Sequence, residues 1–204
     1  MKNYICVEDK KIELSEDQVK RILESIGYGE KVKLADVSVG EVVRVGGYEF
    51  LVLEQLADSA VIICKELIGE DSAFSDTDNN YDGSFVDEIC NSLSGAIADA
   101  VGEDSILTHT VDLTSDDGLK DYGSVERRVS LLTAEQYRRY VEILDNFKPD
   151  RWWWLATPYS TKRHGNDRWA KCVSPSGGFD YDSYGDGIGV RPFCILKSDI
   201  FVSK

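Results

Sequence analysis

Val42-Val43-Arg44-Val45-Gly46-Gly47-Tyr48-Glu49-Phe50-Leu51-Val52-Leu53 places two strand-like runs on either side of a Gly-Gly pair. Period-two hydrophobicity around such a pair predicts an antiparallel hairpin over a tight turn. A third strand is predicted at Ala60-Val61-Ile62-Ile63-Cys64, after the Asp58-Ser59 turn. Upstream, Leu14-Ser15-Glu16-Asp17-Gln18-Val19 opens a short amphipathic helix, with Ser15 as N-cap, Gln18 closing a capping box and Leu14 stapled onto Val19. Val19, Ile22, Leu23 and Ile26 form its apolar stripe, and Gly27 suits the position after the last turn.

Downstream, a polar loop from Glu70 to Gly83 ends at Ser84, an N-cap with Asp87 three residues on. Val86, Ile89, Cys90, Leu93 and Ile97 then stripe a second helix. Thr133 with Gln136 starts a third, whose buried face is Tyr137, Tyr140, Val141 and Leu144. Trp152-Trp153-Trp154-Leu155-Ala156-Thr157-Pro158 begins a final run of short strands and Gly-rich turns. Strands, helices and strands in that order predict an α+β class and not a wound parallel sheet. The stretch Gly27 to Glu30 reads as a linker, so residues 1–28 form a helical appendage and residues 30–204 the main α+β domain.

The 204 residues are enough to bury a core without disulfides, and 42% hydrophobic residues exclude a disordered chain. Five cysteines, Cys6, Cys64, Cys90, Cys172 and Cys194, are odd in number and lack C-x-x-C spacing, so free thiols and a reducing compartment are expected. No signal-peptide core and no run of eighteen apolar residues is present. The expectation is a protein in the cytoplasm of a bacterial host, neither exported by a standard signal nor membrane-spanning.

Net charge is −14, which argues against direct contact with nucleic acid or an anionic membrane. It is also unevenly placed: residues 66–119 hold 14 acids and no Lys or Arg, whereas residues 120–204 hold 14 bases and 11 acids. Gathered on one face, Asp71, Asp76, Asp78, Asp82, Glu103, Asp104, Asp116 and Asp117 would project a strong negative field. That face reads either as a solubility feature or as a docking surface for a basic protein.

Leu34-Ala35-Asp36-Val37-Ser38-Val39-Gly40-Glu41 with the hairpin, Asn80-Tyr81-Asp82-Gly83-Ser84, Val129-Ser130-Leu131-Leu132-Thr133, Trp153-Trp154-Leu155-Ala156-Thr157-Pro158 and Gly189-Val190-Arg191-Pro192 resemble, in this order, an uncharacterised domain family of Firmicutes and their phages. The resemblance spans about residues 34–200. It implies a C-type-lectin-like fold, shared with the formylglycine-generating enzyme group. In such proteins the ligand face is built from loops that here run from Tyr159 to Gly189, which points to Tyr159, Arg163, Asn166, Tyr181, Asp182 and Tyr184. Tyr, Ser, Asn and Gly supply the rigid aromatic area and adaptable hydrogen bonds that binding surfaces favour. Three consecutive tryptophans put rings on both faces of a strand, so at least one is core. A buried Arg191 would need a carboxylate or carbonyl partner.

Catalytic patterns are lacking. There is no G-x-S-x-G, P-loop, H-E-x-x-H or Rossmann glycine motif. His109 reads as a half-exposed strand residue and His164 as a surface residue of a basic loop. Asp76-Thr77-Asp78-Asn79-Asn80-Tyr81-Asp82-Gly83 resembles part of a calcium loop, but counting Asp78 as position 1 puts Ile89, not Glu88, at the bidentate position 12. The stretch reads as a polar loop capping a helix, with weak divalent-cation binding as the alternative. An oxidase of the formylglycine-generating kind would need a reactive cysteine pair. Cys172 and Cys194 lie in the right region, without the arginine- and glycine-rich surroundings. The expectation is therefore a phage- or mobile-element-encoded binding protein without catalysis, metal or cofactor. Its sharpest version is an acidic, DNA-mimicking inhibitor of a host defence nuclease. A lectin-like recognition module is the alternative, and an oxidase the second alternative.

Overall fold

Strand Ser59–Cys64 is buried at every position because it separates two cores. Ala60, Ile62 and Cys64 point to one, Val61 and Ile63 to the other. The same alternation runs through Phe50 to Leu53, and through Trp153 to Ala156, as a period of two requires when both faces are covered. The computed structural model describes residues 3–7, 10–25 and 31–204, excepting the side chains of 3–7, 20, 21 and 23–25.

The class is α+β, with mostly antiparallel strands. An eight-stranded curled sheet runs Val129–Leu131, Pro192–Lys197, Ser59–Cys64, Tyr48–Gln55, Val42–Val45, Phe201–Ser203, Lys31–Lys33, and Ile106–Leu107 pairs with Pro192–Lys197 off that path. A five-stranded sheet runs Phe179–Ser183, Trp169–Val173, Trp153–Pro158, Ile188–Val190, Ile68–Ser72. Trp153–Pro158 lies at its centre and pairs in parallel with Ile188–Val190. His109–Asp112 and Ser124–Arg127 make a separate hairpin.

Three α-helices occur among the described residues: α1, Glu16–Ser25; α2, Phe85–Val101; α3, Ala134–Leu144. Each starts at its expected cap. Gln18 N–H donates to the Ser15 hydroxyl, Asp87 N–H to Ser84, and Gln136 N–H to Thr133, whose own N–H donates back to the Gln136 side chain. α2 buries Val86, Cys90, Leu93 and Ile97 in the first core, and α3 buries Tyr137, Tyr140 and Leu144 in the second.

Helix α1 is not the whole appendage, because strands Asn3–Val7 and Lys10–Leu14 pair ahead of it. The second of these strands carries only a four-residue alternation, Lys11, Ile12, Glu13 and Leu14, too short to mark a hairpin from the sequence. The expected linker from Gly27 to Glu30 lies outside the described residues. The polar loop from Glu70 also begins inside a strand, Ile68–Ser72.

The motif residues have packing roles. Trp153 and Trp154 are buried in opposite cores while Trp152 is exposed. Gly189 passes so close to its neighbours that an added Cβ would lie 2.3 Å from Leu67 Cδ1 and 3.0 Å from the Trp152 carbonyl oxygen. Arg191, 1% exposed, donates Nε–H to the Cys64 carbonyl and Nη2–H to the Lys65 and Phe147 carbonyls. Carbonyls, not a carboxylate, are its partners.

Candidate recognition site

Part of the acidic segment is paired with the basic third of the chain. Arg151 pairs with Asp71 at 2.7 Å, Arg127 with Asp82 and Asp87 at 2.6 Å each, and Arg128 with Glu103 at 2.6 Å. Lys171 and Arg138 hold Asp116 at 3.2 and 3.5 Å, and His164 meets Asp117 at 2.9 Å. Asp117 also accepts from Ser115 and Ser160. Desolvation would raise the Asp117 carboxyl, but these hydroxyls and His164 together hold it well below the usual carboxylate range. Asp76 and Asp104 are exposed and form no ion pair among the described residues. Asp78 accepts from Asn80 N–H.

The loop resembling a calcium site is built as a packing element. Asn79 is fully buried: its amide donates to the Ser160 and Trp169 carbonyls, its oxygen accepts from Tyr122 O–H, and its N–H donates to the Asp167 carbonyl. Among the described residues no three His, Cys, Asp or Glu side chains come together as a metal-binding group.

Of the expected ligand-face residues, Tyr159 and Tyr181 do meet, with ring centroids 4.6 Å apart. Trp169, which the sequence reading passed over, joins them edge-on at 5.8 Å from Tyr181, and the Arg168 guanidinium lies 5.2 Å over the Trp169 ring. Trp169 belongs because Trp169–Val173 pairs with Phe179–Ser183, setting Lys171 opposite Tyr181 and Trp169 opposite Ser183. Residues spaced by two along both strands therefore share one face. That face begins under α3, where Arg138 and Lys171 lie 4.8 and 5.2 Å over the Phe179 ring, and ends at the open Tyr159, Trp169, Tyr181 cluster. Tyr181 remains 46% exposed.

The other expected members lie elsewhere. Tyr184 packs against the first core and its carbonyl accepts from Phe74 and Ser75 N–H. Asp182 follows Tyr181 and so points to the opposite face. Arg163 pairs with Asp121, and Asn166 is half-buried. Asp182 and Asp186 carboxyls interact, and burial together with that contact raises the Asp182 carboxyl.

A groove of about 360 Å³ is lined by Asp112, Ser115, Asp116, Lys120, Glu135 and Arg138, with Asp116 paired to Lys171. A larger cavity of about 560 Å³ lies at the Gly46-Gly47 turn among Lys31, Arg44, Glu49, Val101 and Phe201. The ammonium of Lys65 and the guanidinium of Arg44 hold the Glu49 carboxyl there below its ordinary range.

His109 is buried, not half-exposed, because its strand turns inward against Phe193, with ring centroids 4.7 Å apart. Its Nε2 lies 2.8 Å from the Ser130 hydroxyl, itself fully buried. A Ser and His pair without an approach for substrate is a packing contact. His164 is exposed as expected. Cys172 and Cys194 sit on different sheets, both buried, and burial pushes the Cys172 thiol up to about 12 and Cys194 higher still. Neither has the depressed pKa of a reactive thiolate.

Among the described residues no helix is long and apolar enough to cross a membrane. No family model, curated protein or solved structure matched the chain in the comparisons with known proteins.

Proposed function

We propose that the chain is a non-catalytic recognition module of C-type-lectin-like architecture that binds a basic protein partner through the surface around Tyr159, Trp169 and Tyr181. The observation that carries this reading is the aromatic cluster: three rings gathered at the open end of a sheet face, with Tyr181 left 46% exposed. Amphipathic rings grouped at a surface are the usual anchors of protein interfaces. The protein's net charge of −14 favours a basic partner by steering encounter. The central position of Trp153–Pro158 and the gathering of later loops beside it support the lectin-like architecture.

A second reading keeps the acidic segment as the contact. On it the protein is a phage- or mobile-element-encoded mimic of a phosphate backbone that occupies a host defence nuclease. Asp76 and Asp104, exposed and without ion pairs among the described residues, favour it. The pairing of Asp71, Asp82, Glu103 and Asp116 with Arg and Lys weakens the field that such mimicry needs.

Selection on a displayed peptide library and on a glycan array separates the readings. Enrichment of basic peptides, lost in Tyr181→Ala and Trp169→Ala and retained in Asp76→Lys and Asp104→Lys, is the expected result. Loss in the Asp variants alone transfers the site to the acidic segment. Enrichment of glycans only, or of nothing, overturns the basic-protein reading.

A further inference from the structure

The strand Phe179–Ser183 is the outer strand of its sheet, pairing with Trp169–Val173 and with nothing beyond among the described residues. Tyr184 N–H donates to the Arg168 carbonyl, and Ser174 N–H to the Gly178 carbonyl, 2.9 Å each. These two bonds bracket the ladder and fix its alternation. Main-chain groups of Asp180 and Asp182 point inward to the neighbouring strand, and those of Phe179, Tyr181 and Ser183 point outward. The outward donors are not idle. Tyr181 N–H donates to the Asp180 carboxylate and Ser183 N–H to the Asp182 carboxylate, 2.9 Å each. Each Asp thus folds over the next residue and occupies the amide that an incoming strand would use. Charged edges of this kind keep natural sheets from joining edge to edge.

A carboxylate cap is exchangeable in a way that a bulge or a proline is not, because a cation can draw it off. The edge carries Asp180, Asp182 and nearby Asp186, with no Lys or Arg bonded to any of them among the described residues. The Tyr159, Trp169, Tyr181 cluster lies on the other face of the same strand. Edge, charge and rings together define a ligand with a period of two.

We infer that Phe179–Ser183 is a docking edge for an extended peptide alternating basic and apolar residues. A peptide carbonyl takes the Tyr181 N–H in place of the Asp180 carboxylate. The peptide's Arg or Lys side chains pair with the released carboxylates on one face, and its apolar side chains pack on Tyr181, Tyr159 and Trp169 on the other. Main-chain bonds would supply affinity and the alternating faces specificity, as in other strand additions. A second copy of this chain is the wrong occupant, since two such edges would set carboxylates against carboxylates. The inference rests on the proposed recognition surface and specifies how that surface engages its partner.

The test uses the full chain and a synthetic acetylated decapeptide alternating Arg and Val, with two analogues N-methylated at every Val or at every Arg. Antiparallel addition sets the Val amides toward Tyr181 and parallel addition the Arg amides, so methylation should weaken binding by tenfold or more in one analogue and not in the other. Binding should slow hydrogen exchange at the Tyr181 amide. Asp180→Asn with Asp182→Asn should weaken it by about tenfold, the combined worth of two partly exposed ion pairs. Glu142→Gln, on the exposed face of α3, should change nothing. Equal affinity of all three peptides, or no binding of the decapeptide, overturns strand addition. If library-selected peptides still bind and still require Tyr181, the recognition surface stands and only the docking mode falls.

Discussion

The guanidinium of Arg191 lies 5.3 Å from the centroid of the Trp153 ring, and from there it binds three main-chain carbonyls on two separate segments. One buried cation thereby ties the end of strand Ser59–Cys64 to the turn after α3 at Phe147. Burial lowers its pKa to about 10, so it remains charged at neutral pH.

Arg191→Met keeps length and removes the charge, leaving the Cys64, Lys65 and Phe147 carbonyls without this donor. A loss of about 3–5 kcal/mol is expected, because three charge-assisted hydrogen bonds to main-chain carbonyls are lost together. The denaturant midpoint should fall accordingly, and Arg191→Lys should recover only part because one ammonium cannot span both segments.

Trp154→Ala and Trp152→Ala should differ sharply although the residues are near neighbours. Trp154 is fully buried and its indole N–H donates to the Ser72 carbonyl, so truncation should cost about 3–5 kcal/mol. Trp152 is exposed, and its loss should stay within about 1 kcal/mol. Equal melting temperatures for the two variants would refute this difference in burial.

Asn79→Ala removes three side-chain hydrogen bonds at once, to Ser160, Trp169 and Tyr122. A cost of about 2–4 kcal/mol is expected, since the Ser160 carbonyl and the Tyr122 hydroxyl lose their partner and the Trp169 carbonyl keeps only the Tyr159 N–H. Calcium titration of the wild type, followed by thermal shift, should leave stability unchanged if the loop is only a packing element.

His109 gives the stability a specific acid dependence. Burial lowers its folded-state pKa from 6.5 to about 4, so the unfolded chain binds the proton first. Its stabilising effect is complete above pH 6.5 and is lost as pH falls toward 4, by up to about 3 kcal/mol. His109→Leu should therefore lose less stability than wild type between pH 7 and pH 4, with the carboxylate contribution common to both.

Cys64, Cys90, Cys172 and Cys194 are buried free thiols, with every pKa raised by burial. A water-soluble maleimide should leave all four unmodified in the native state and label them rapidly after denaturation. Labelling of Cys172 or Cys194 in the folded protein would reopen the oxidase reading.

The helix caps at Ser15, Ser84 and Thr133, the hairpin over Gly46-Gly47, and the buried Trp strand were legible in the sequence because each depends on residues a few positions apart. Hydrogen bonds between positions i and i+3, and side-chain alternation at a period of two, are local properties. The N-terminal hairpin left only the short alternation from Lys11 to Leu14, and Trp169 entered the aromatic cluster only through strand pairing with Phe179–Ser183. Charge was the least legible feature. Residues 66–119 contain no base, yet folding brings Arg127, Arg128, Arg138, Arg151 and Lys171 onto their carboxylates. Coulomb interactions depend on distance in space and not along the chain, so composition by segment determined the sign of the protein's charge, and only the tertiary structure decided where that charge is left open.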